Sequence, residues 1–155
     1  MNLDFYKMDE YIKIKPKLTF TNFIKEKIEK MSENLYIEMK SFYKQKNKKM
    51  PSEHYIYLLY NNDIVIGFRH FLVNTESKSA ELFAIAVDPQ FQKQGYAKKM
   101  INLSIEFLIS LNIKKIKVPL IKSNELGLVT LEKYYSNVIT KKYDNIEWNI
   151  EISNA

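Results

Sequence analysis

The 155-residue chain has no cysteine, which removes disulfides, thiol nucleophiles and cysteine-ligated metals from consideration. Histidine occurs only at His54 and His70, and no metal-ligand spacing accompanies either, so a metal site is not expected. No apolar run approaches the ~18 residues of a membrane helix. The start, Met1-Asn2-Leu3-Asp4, lacks a basic segment followed by an apolar core. Export and membrane spanning are therefore not expected, and the expected location is the cytoplasm. There is no internal repeat, low-complexity tract or linker. Glycine occurs three times, so each position carries information.

Apolar residues make up 46% of the chain and charged residues 27%, a globular rather than disordered balance. The length suits one compact domain over residues 1–155. Net charge is +6, from 24 basic and 18 acidic residues. The lysines are dispersed, which argues against nucleic acid as the partner; a general positive field would also attract an anionic ligand. The densest cluster, Lys44, Lys46, Lys48 and Lys49 near Tyr43, reads as a helix end running into a solvated loop.

The most informative stretch runs from Leu82 to Leu111. Leu82-Phe83-Ala84-Ile85-Ala86-Val87 is an apolar run closed by Asp88-Pro89, which predicts a strand covered on both faces. After a turn through Gln92-Lys93-Gln94-Gly95, the residues Ala97, Met100, Ile101, Ser104, Ile105, Leu108 and Leu111 recur at helical spacing. A strand feeding a glycine turn into a helix converges unpaired N–H groups and the positive end of the dipole on one point, an anion site that phosphate commonly fills. Lys98 and Lys99 fall in the first turn, where the dipole disfavours each cation by ~0.3–1 kcal/mol. Bound phosphate would reverse that sign. The same residues also read as an ordinary strand-turn-helix with a solvated lysine pair.

Before this stretch, an opening strand is expected within Phe5–Ile14, ending before Pro16. A helix capped by Thr19 or Thr21 should follow, carrying Phe23, Ile24, Ile28 and Met31. Ser32, with Glu33 behind it, can cap a second helix bearing Leu35, Tyr36, Met39 and Phe42. Strands are expected over Tyr55–Tyr60 and Ile64–Val73, joined by a turn at Asn61-Asn62-Asp63. Beyond the central helix come a strand over Ile113–Ile121 despite Pro119, a helix over Leu126–Tyr135, and a hairpin of Val138–Tyr143 with Ile146–Ile152. Trp148 on that hairpin is expected in the core. Together these give a mixed, mostly antiparallel sheet with helices on both faces.

The segment Ile85-Ala86-Val87-Asp88-Pro89-Gln90-Phe91-Gln92-Lys93-Gln94-Gly95-Tyr96-Ala97 closely resembles the acetyl-CoA signature of the GCN5-related N-acetyltransferase (GNAT) superfamily. The likeness extends to Ile66-Gly67 upstream and Asn124 downstream, roughly residues 55–135. It implies an α/β (α+β) fold of about six or seven strands and about four helices, with two splayed strands forming the acetyl-CoA cleft. By the same resemblance, Ile85, Ala86 and Val87 offer main-chain groups to pantetheine and the acetyl carbonyl, with Val87 N–H or its neighbour at the oxyanion. Lys93, Gln94, Gly95, Tyr96, Ala97 and Lys98 would hold the pyrophosphate, and Gln92 would brace the turn. Ala97 stands where glycine is commoner.

Glu81 occupies the position of the catalytic glutamate in the histone-acetyltransferase branch. Period-two alternation would place it on one face with Phe83, Ile85 and Val87. There its pKa should rise, suiting it to take a proton. It also reads as a strand-end glutamate paired with a surface lysine. Asn124 and Gly127 resemble the Asn-x-x-small cofactor element, or simply a ragged helix start. The family's tyrosine position is Leu131 here, so Tyr134, about one turn further on, is the candidate thiolate acid; otherwise water serves.

The resemblance implies an acyltransferase moving acetyl from acetyl-CoA, its co-substrate, to a primary amine of a small molecule or peptide by direct attack. The alternatives are an acyl-CoA-binding module without turnover, motivated by Leu131, and a small basic nucleic-acid binder. The acceptor, a longer acyl donor and a homodimer all stay open.

Overall fold

The computed structural model describes residues 2–119, 139–143 and 147–152, and from Val118 onward its backbone alone. Strand β1 (Asn2–Lys7) pairs antiparallel with β3 (Glu53–Asn61), from Asn2 opposite Tyr60 to Lys7 opposite Tyr55. The chain then turns at once into α1 (Met8–Ile14), where the Glu10 carboxylate accepts the Lys7 N–H at 3.1 Å and satisfies an orphan donor. The opening strand expected over Phe5–Ile14 is therefore corrected: it starts and ends earlier, and Met8 and Tyr11 are fully buried on a helix.

A two-residue strand β2 (Thr19–Phe20) precedes α2 (Asn22–Ile28), which Thr21 caps as expected, its Oγ1 accepting from Ile24 N–H at 3.3 Å. Ser32 and Glu33, however, cap nothing. The helix runs on through a π turn, Glu29–Glu33, into α3 (Asn34–Gln45), and both side chains are buried. Glu33 accepts from Tyr11 OH at 2.9 Å and from Lys15 Nζ at 2.6 Å; Ser32 Oγ lies 2.9 Å from His70 Nδ1. These distant partners, invisible to local pattern, hold the turn that the sequence reads as a break.

β3 turns through Asn62-Asp63 into β4 (Ile64–Asn74), which pairs antiparallel with β5 (Ser79–Val87). A 3₁₀ turn, Pro89–Phe91, leads to the central helix α4 (Tyr96–Ser110) and then β6 (Lys115–Pro119). β7 (Ile139–Tyr143) and β8 (Glu147–Ile152) form the expected closing hairpin. The sheet order among the described residues is β1-β3-β4-β5-β6-β8-β7, seven strands, with the two-residue β2 beside β4. Apart from the short β2–β4 contact, only β5–β6 is parallel among the described pairs. The expected helix over residues 126–135 lies outside the described residues, as does the side chain of Trp148.

Two cores sit on opposite faces of this sheet. One packs Leu59, Ile66, Phe71, Leu82, Ile85 and Val87 against Met100, Ile101, Ile105 and Leu108 of α4. The other packs Ile56, Leu58, Val65, Phe68 and Ala84 against Met8, Tyr11, Ile24, Ile28 and Tyr36. The helical spacing thus marks α4's buried face, except that Leu111 is 37% exposed at the C-cap. Among the described residues no helix is long and apolar enough to cross a membrane.

Candidate active site

The site begins where β5 and β6 separate. Their parallel ladder joins Ser79, Ala80 and Glu81 to Lys115, Ile116 and Lys117. β6 continues for two described residues, but Val118 and Pro119 pair only with Trp148 and Glu147 on β8. Pro119 has no N–H for a second ladder. Among the described residues the β5–β6 ladder therefore ends at Glu81, and β4 is the described strand paired with the far half of β5.

A β-bulge reinforces this. His70 opposes Ala84 while Phe71 opposes Leu82, leaving Phe83 as the extra residue. Ala80 and Leu82 pack on the α4 face, and beyond the bulge Ile85 and Val87 do so again. Glu81 consequently lies on the opposite sheet face from Ile85 and Val87, and the single face expected for all four residues is corrected. Strict period-two counting fails because it assumes an unbulged strand.

At the open end of β5, Asp88 N–H donates to Ile66 O on β4 at 2.8 Å. Alternation along a strand turns the Val87 main-chain groups the other way, to the side where β6 has departed. Ala86 N–H and C=O face β4 by the same alternation, so Ile85 and Val87 are the strand residues of the predicted set with main-chain groups toward the gap. Gln92 does brace the turn, its Nε2 donating to Val87 O at 2.9 Å. Gly67, opposite Val87, permits this close packing: a Cβ there would meet Ala86 O at 3.1 Å and the Leu59 side chain at 3.3 Å.

The turn is built for backbone presentation. Asp88 Oδ1 accepts from Gln90 N–H at 3.0 Å, and Phe91 N–H returns to Asp88 O at 2.8 Å. Lys93 (φ 64°) and Gly95 (φ 84°) both adopt left-handed backbone, the arrangement that gathers successive N–H groups into an anion-binding concavity. Gly95 is the N-cap of α4, has no side-chain cap, and would place a Cβ within 4 Å of nothing. The first turn of α4 has no acidic residue, while Lys93, Lys98 and Lys99 add positive charge around it. Gln92 to Gly95 are exposed and Tyr96, Ala97 and Lys98 half-buried. The donor set, the open volume at Gly95 and the charge fit the pyrophosphate of acetyl-CoA.

The structure thus brings Ile85, Val87 and the Gln92–Lys98 turn together around one end of the gap, with Glu81 where the gap opens. Asn124, Gly127 and Tyr134 lie outside the described residues. His54 and His70 form a buried chain: His54 Nδ1 lies 2.9 Å from His70 Nε2, and His70 continues to Ser32. Burial lowers the pKa of His54 to about 4 and depresses that of His70 as well. His70 packs edge-on against Phe83 of the bulge, ring centroids 5.1 Å apart. Separations of 16 and 38 residues hide this chain from local pattern. Arg69, on the α4 face opposite Ile85, is 2% exposed, and burial lowers its pKa to about 9.

Comparison with known proteins agrees with this geometry. The [ribosomal protein bS18]-alanine N-acetyltransferase of Haemophilus ducreyi is 35% identical over 97 residues, 61% of this chain and 57% of that protein. The chain thus matches a little over half the length of that curated relative. Among solved structures, Tetrahymena GCN5 superposes with a TM-score of 0.58 at 16% identity, covering 99% of this chain and 97% of that one. The PaiA N-acetyltransferase of Thermoplasma acidophilum in complex with coenzyme A gives 0.55 at 15% identity, covering 99% and 100%. At such identities the likeness concerns the fold. Residues 20–126 match the family model described as the acetyltransferase (GNAT) family, and the chain belongs to that family.

Proposed function

We propose that the protein is an N-acetyltransferase that moves an acetyl group from acetyl-CoA to a primary amine, both substrates bound at once in one domain. The observation that carries this is the parting of β5 from β6 beside a glycine-capped helix mouth. The cradle at residues 93–98 holds the diphosphate, and the gap beside Ile85 and Val87 admits the thioester arm. A neutral amine then attacks the carbonyl carbon: a C–N bond forms, the C–S bond breaks, and the sulfur leaves as thiolate. Val87 N–H, turned to the gap, donates to the developing oxyanion. Asp88 N–H, engaged by Ile66 O, is not available for that role. Glu81, at the last described laddered pair and six residues along β5 from Val87, takes the amine proton through intervening water, and Tyr134 or water supplies a proton to sulfur. Asn124 and Gly127, through the family resemblance, are assigned the remaining cofactor contacts.

Thiol release from acetyl-CoA across a panel of amines and peptides with free amino termini tests this reading. Amine-dependent release, matched by acetylated product, is expected. Coenzyme A binding with no release from any amine would instead indicate the non-catalytic acyl-CoA module.

A further inference from the structure

A cleft of about 730 Å³ is lined by the end of β1, α1, α3, the connection through Met50 and the start of β3. Its carboxylates are engaged. Asp9 accepts from Tyr36 OH at 2.7 Å and Lys40 Nζ at 3.0 Å; Glu10 takes the Lys7 N–H; Glu53 accepts from Tyr55 OH at 2.7 Å and pairs with Lys7 at 3.7 Å. Lys44, Lys48 and Lys49 line the same cleft and form no ion pair among the described residues. Lys7, Lys40, Lys44, Lys48 and Lys49 face three carboxylates, Asp9, Glu10 and Glu53, around one concavity, and the excess of cations sets up a field for an anionic ligand.

The cleft also contains a buried group without a partner. His54 lines it and is 4% exposed; its Nδ1 is bonded inward to His70, but its Nε2 has no hydrogen-bond partner. Buried polar atoms are almost always matched, so this nitrogen calls for a partner at the inner wall of the cleft, a water or a ligand group relayed through one. If Ser32 O–H donates to His70 Nδ1 and His70 Nε2–H donates to His54 Nδ1, the remaining proton sits on His54 Nε2. Both rings are then neutral, and the chain ends in a donor.

We propose that this cleft is the recognition subsite for a carboxylate-bearing segment of a peptide acceptor, with Lys44, Lys48 and Lys49 holding its charge and His54 Nε2–H donating to it through a water. This rests on the acetyl-transfer reading. Register connects the two places: His54 opposes Leu72, and Leu72 opposes Glu81, on one face of the sheet. Two strand spacings amount to about 10 Å, which three or four extended residues span at ~3.3 Å each. The acidic residues would therefore follow the reacting amine by about three to five positions. A nucleic acid is the less fitting occupant, because the cations surround one pocket rather than a stacking groove.

The test uses paired peptides with free amino termini, carrying either Asp and Glu or Asn and Gln at positions four to six. Thiol release gives kcat/KM, and anisotropy of the labelled acidic peptide, with coenzyme A present, gives binding independently of turnover. The wild-type protein should favour the acidic peptide about tenfold, mainly through KM. That preference should vanish in 0.5 M salt and reverse in the Lys44→Glu, Lys48→Glu, Lys49→Glu variant, whose fold a coenzyme A-induced rise in Tm checks. In ¹⁵N spectra, the acidic peptide should shift the His54 Nε2 resonance, a response a merely structural imidazole would not give. Equal kcat/KM for both peptides would overturn the subsite while leaving acetyl transfer intact. Absence of turnover with every peptide would instead count against acetyl transfer, and anisotropy would then decide the subsite by itself. Tighter binding of a single-stranded oligonucleotide than of the acidic peptide would overturn it too.

Discussion

Gly95 is legible in the sequence because glycine is so rare here: one of three falls at a helix mouth, and its φ of 84° shows why no side chain belongs there. Glu81 is the opposite case. Its candidacy could be read from its position, but its orientation could not, because the bulge at Phe83 leaves no compositional mark in an all-apolar run. Its placement at the last β5–β6 pair still suits proton removal, so Glu81→Gln should lower kcat by ~10²–10⁴-fold with little change in coenzyme A affinity. Steady-state rates from pH 6 to 9, beside a coenzyme A titration, check this. Wild-type rates throughout would remove Glu81 from the chemistry. Gln92→Ala removes the 2.9 Å bond to Val87 O and loosens the turn beside the gap. It is expected to weaken coenzyme A binding by ~0.5–1.5 kcal/mol, measurable by calorimetry.

Among the elements, α4 was the most readable, since its apolar spacing alone marks the face that meets the sheet. Ile105, fully buried there, should cost ~2–5 kcal/mol when cut to alanine, seen as a lower urea midpoint at unchanged slope. Helix α2 was readable for a different reason: Thr21 is a cap residue with its acceptor in place, and Thr21→Ala should cost ~1 kcal/mol in the same assay. The π turn was not readable. Ser32 and Glu33 have the composition of a helix start, yet their partners are His70, Tyr11 and Lys15, each many residues distant. The opening strand failed similarly, because the bond from Lys7 N–H to Glu10 that starts α1 competes with a sequence otherwise mixed in its preferences. The separation of β5 from β6 was expected only through the family resemblance. Pro119 is consistent with it but does not dictate it.

Taken as a molecule, the chain places two neutral imidazoles between its sheet and its amino-terminal helices, and this gives stability a pH signature. The folded pKa of His54, about 4, lies below the ordinary value of 6.5, and burial is the cause. The unfolded chain therefore binds more protons between those values. Stability is full above pH 6.5 and falls as pH drops toward 4, by up to ~1.4 kcal/mol per pH unit for this group. His70, also depressed, adds its own loss over the same range and continues it below. Asp9, whose pKa is lowered mainly by the Tyr36 hydrogen bond, adds to it below the ordinary carboxylate range. Urea melts from pH 7.5 to 4.5 should show this slope, and His54→Gln should flatten it. An equal slope in the variant would mean that other groups carry the acid sensitivity.

The proposed chemistry depends on the helix mouth of α4 gripping a diphosphate through its main chain. Calorimetric titration of coenzyme A into wild type, Gly95→Ala and Gly95→Glu tests that grip, with circular dichroism confirming that each variant is folded. A Cβ at this position meets nothing, so alanine should cost mainly the ~1–2 kcal/mol of left-handed backbone and retain binding. Glutamate, adding bulk and negative charge where phosphate sits, should abolish it. Wild-type affinity in a folded Gly95→Glu protein would contradict the account.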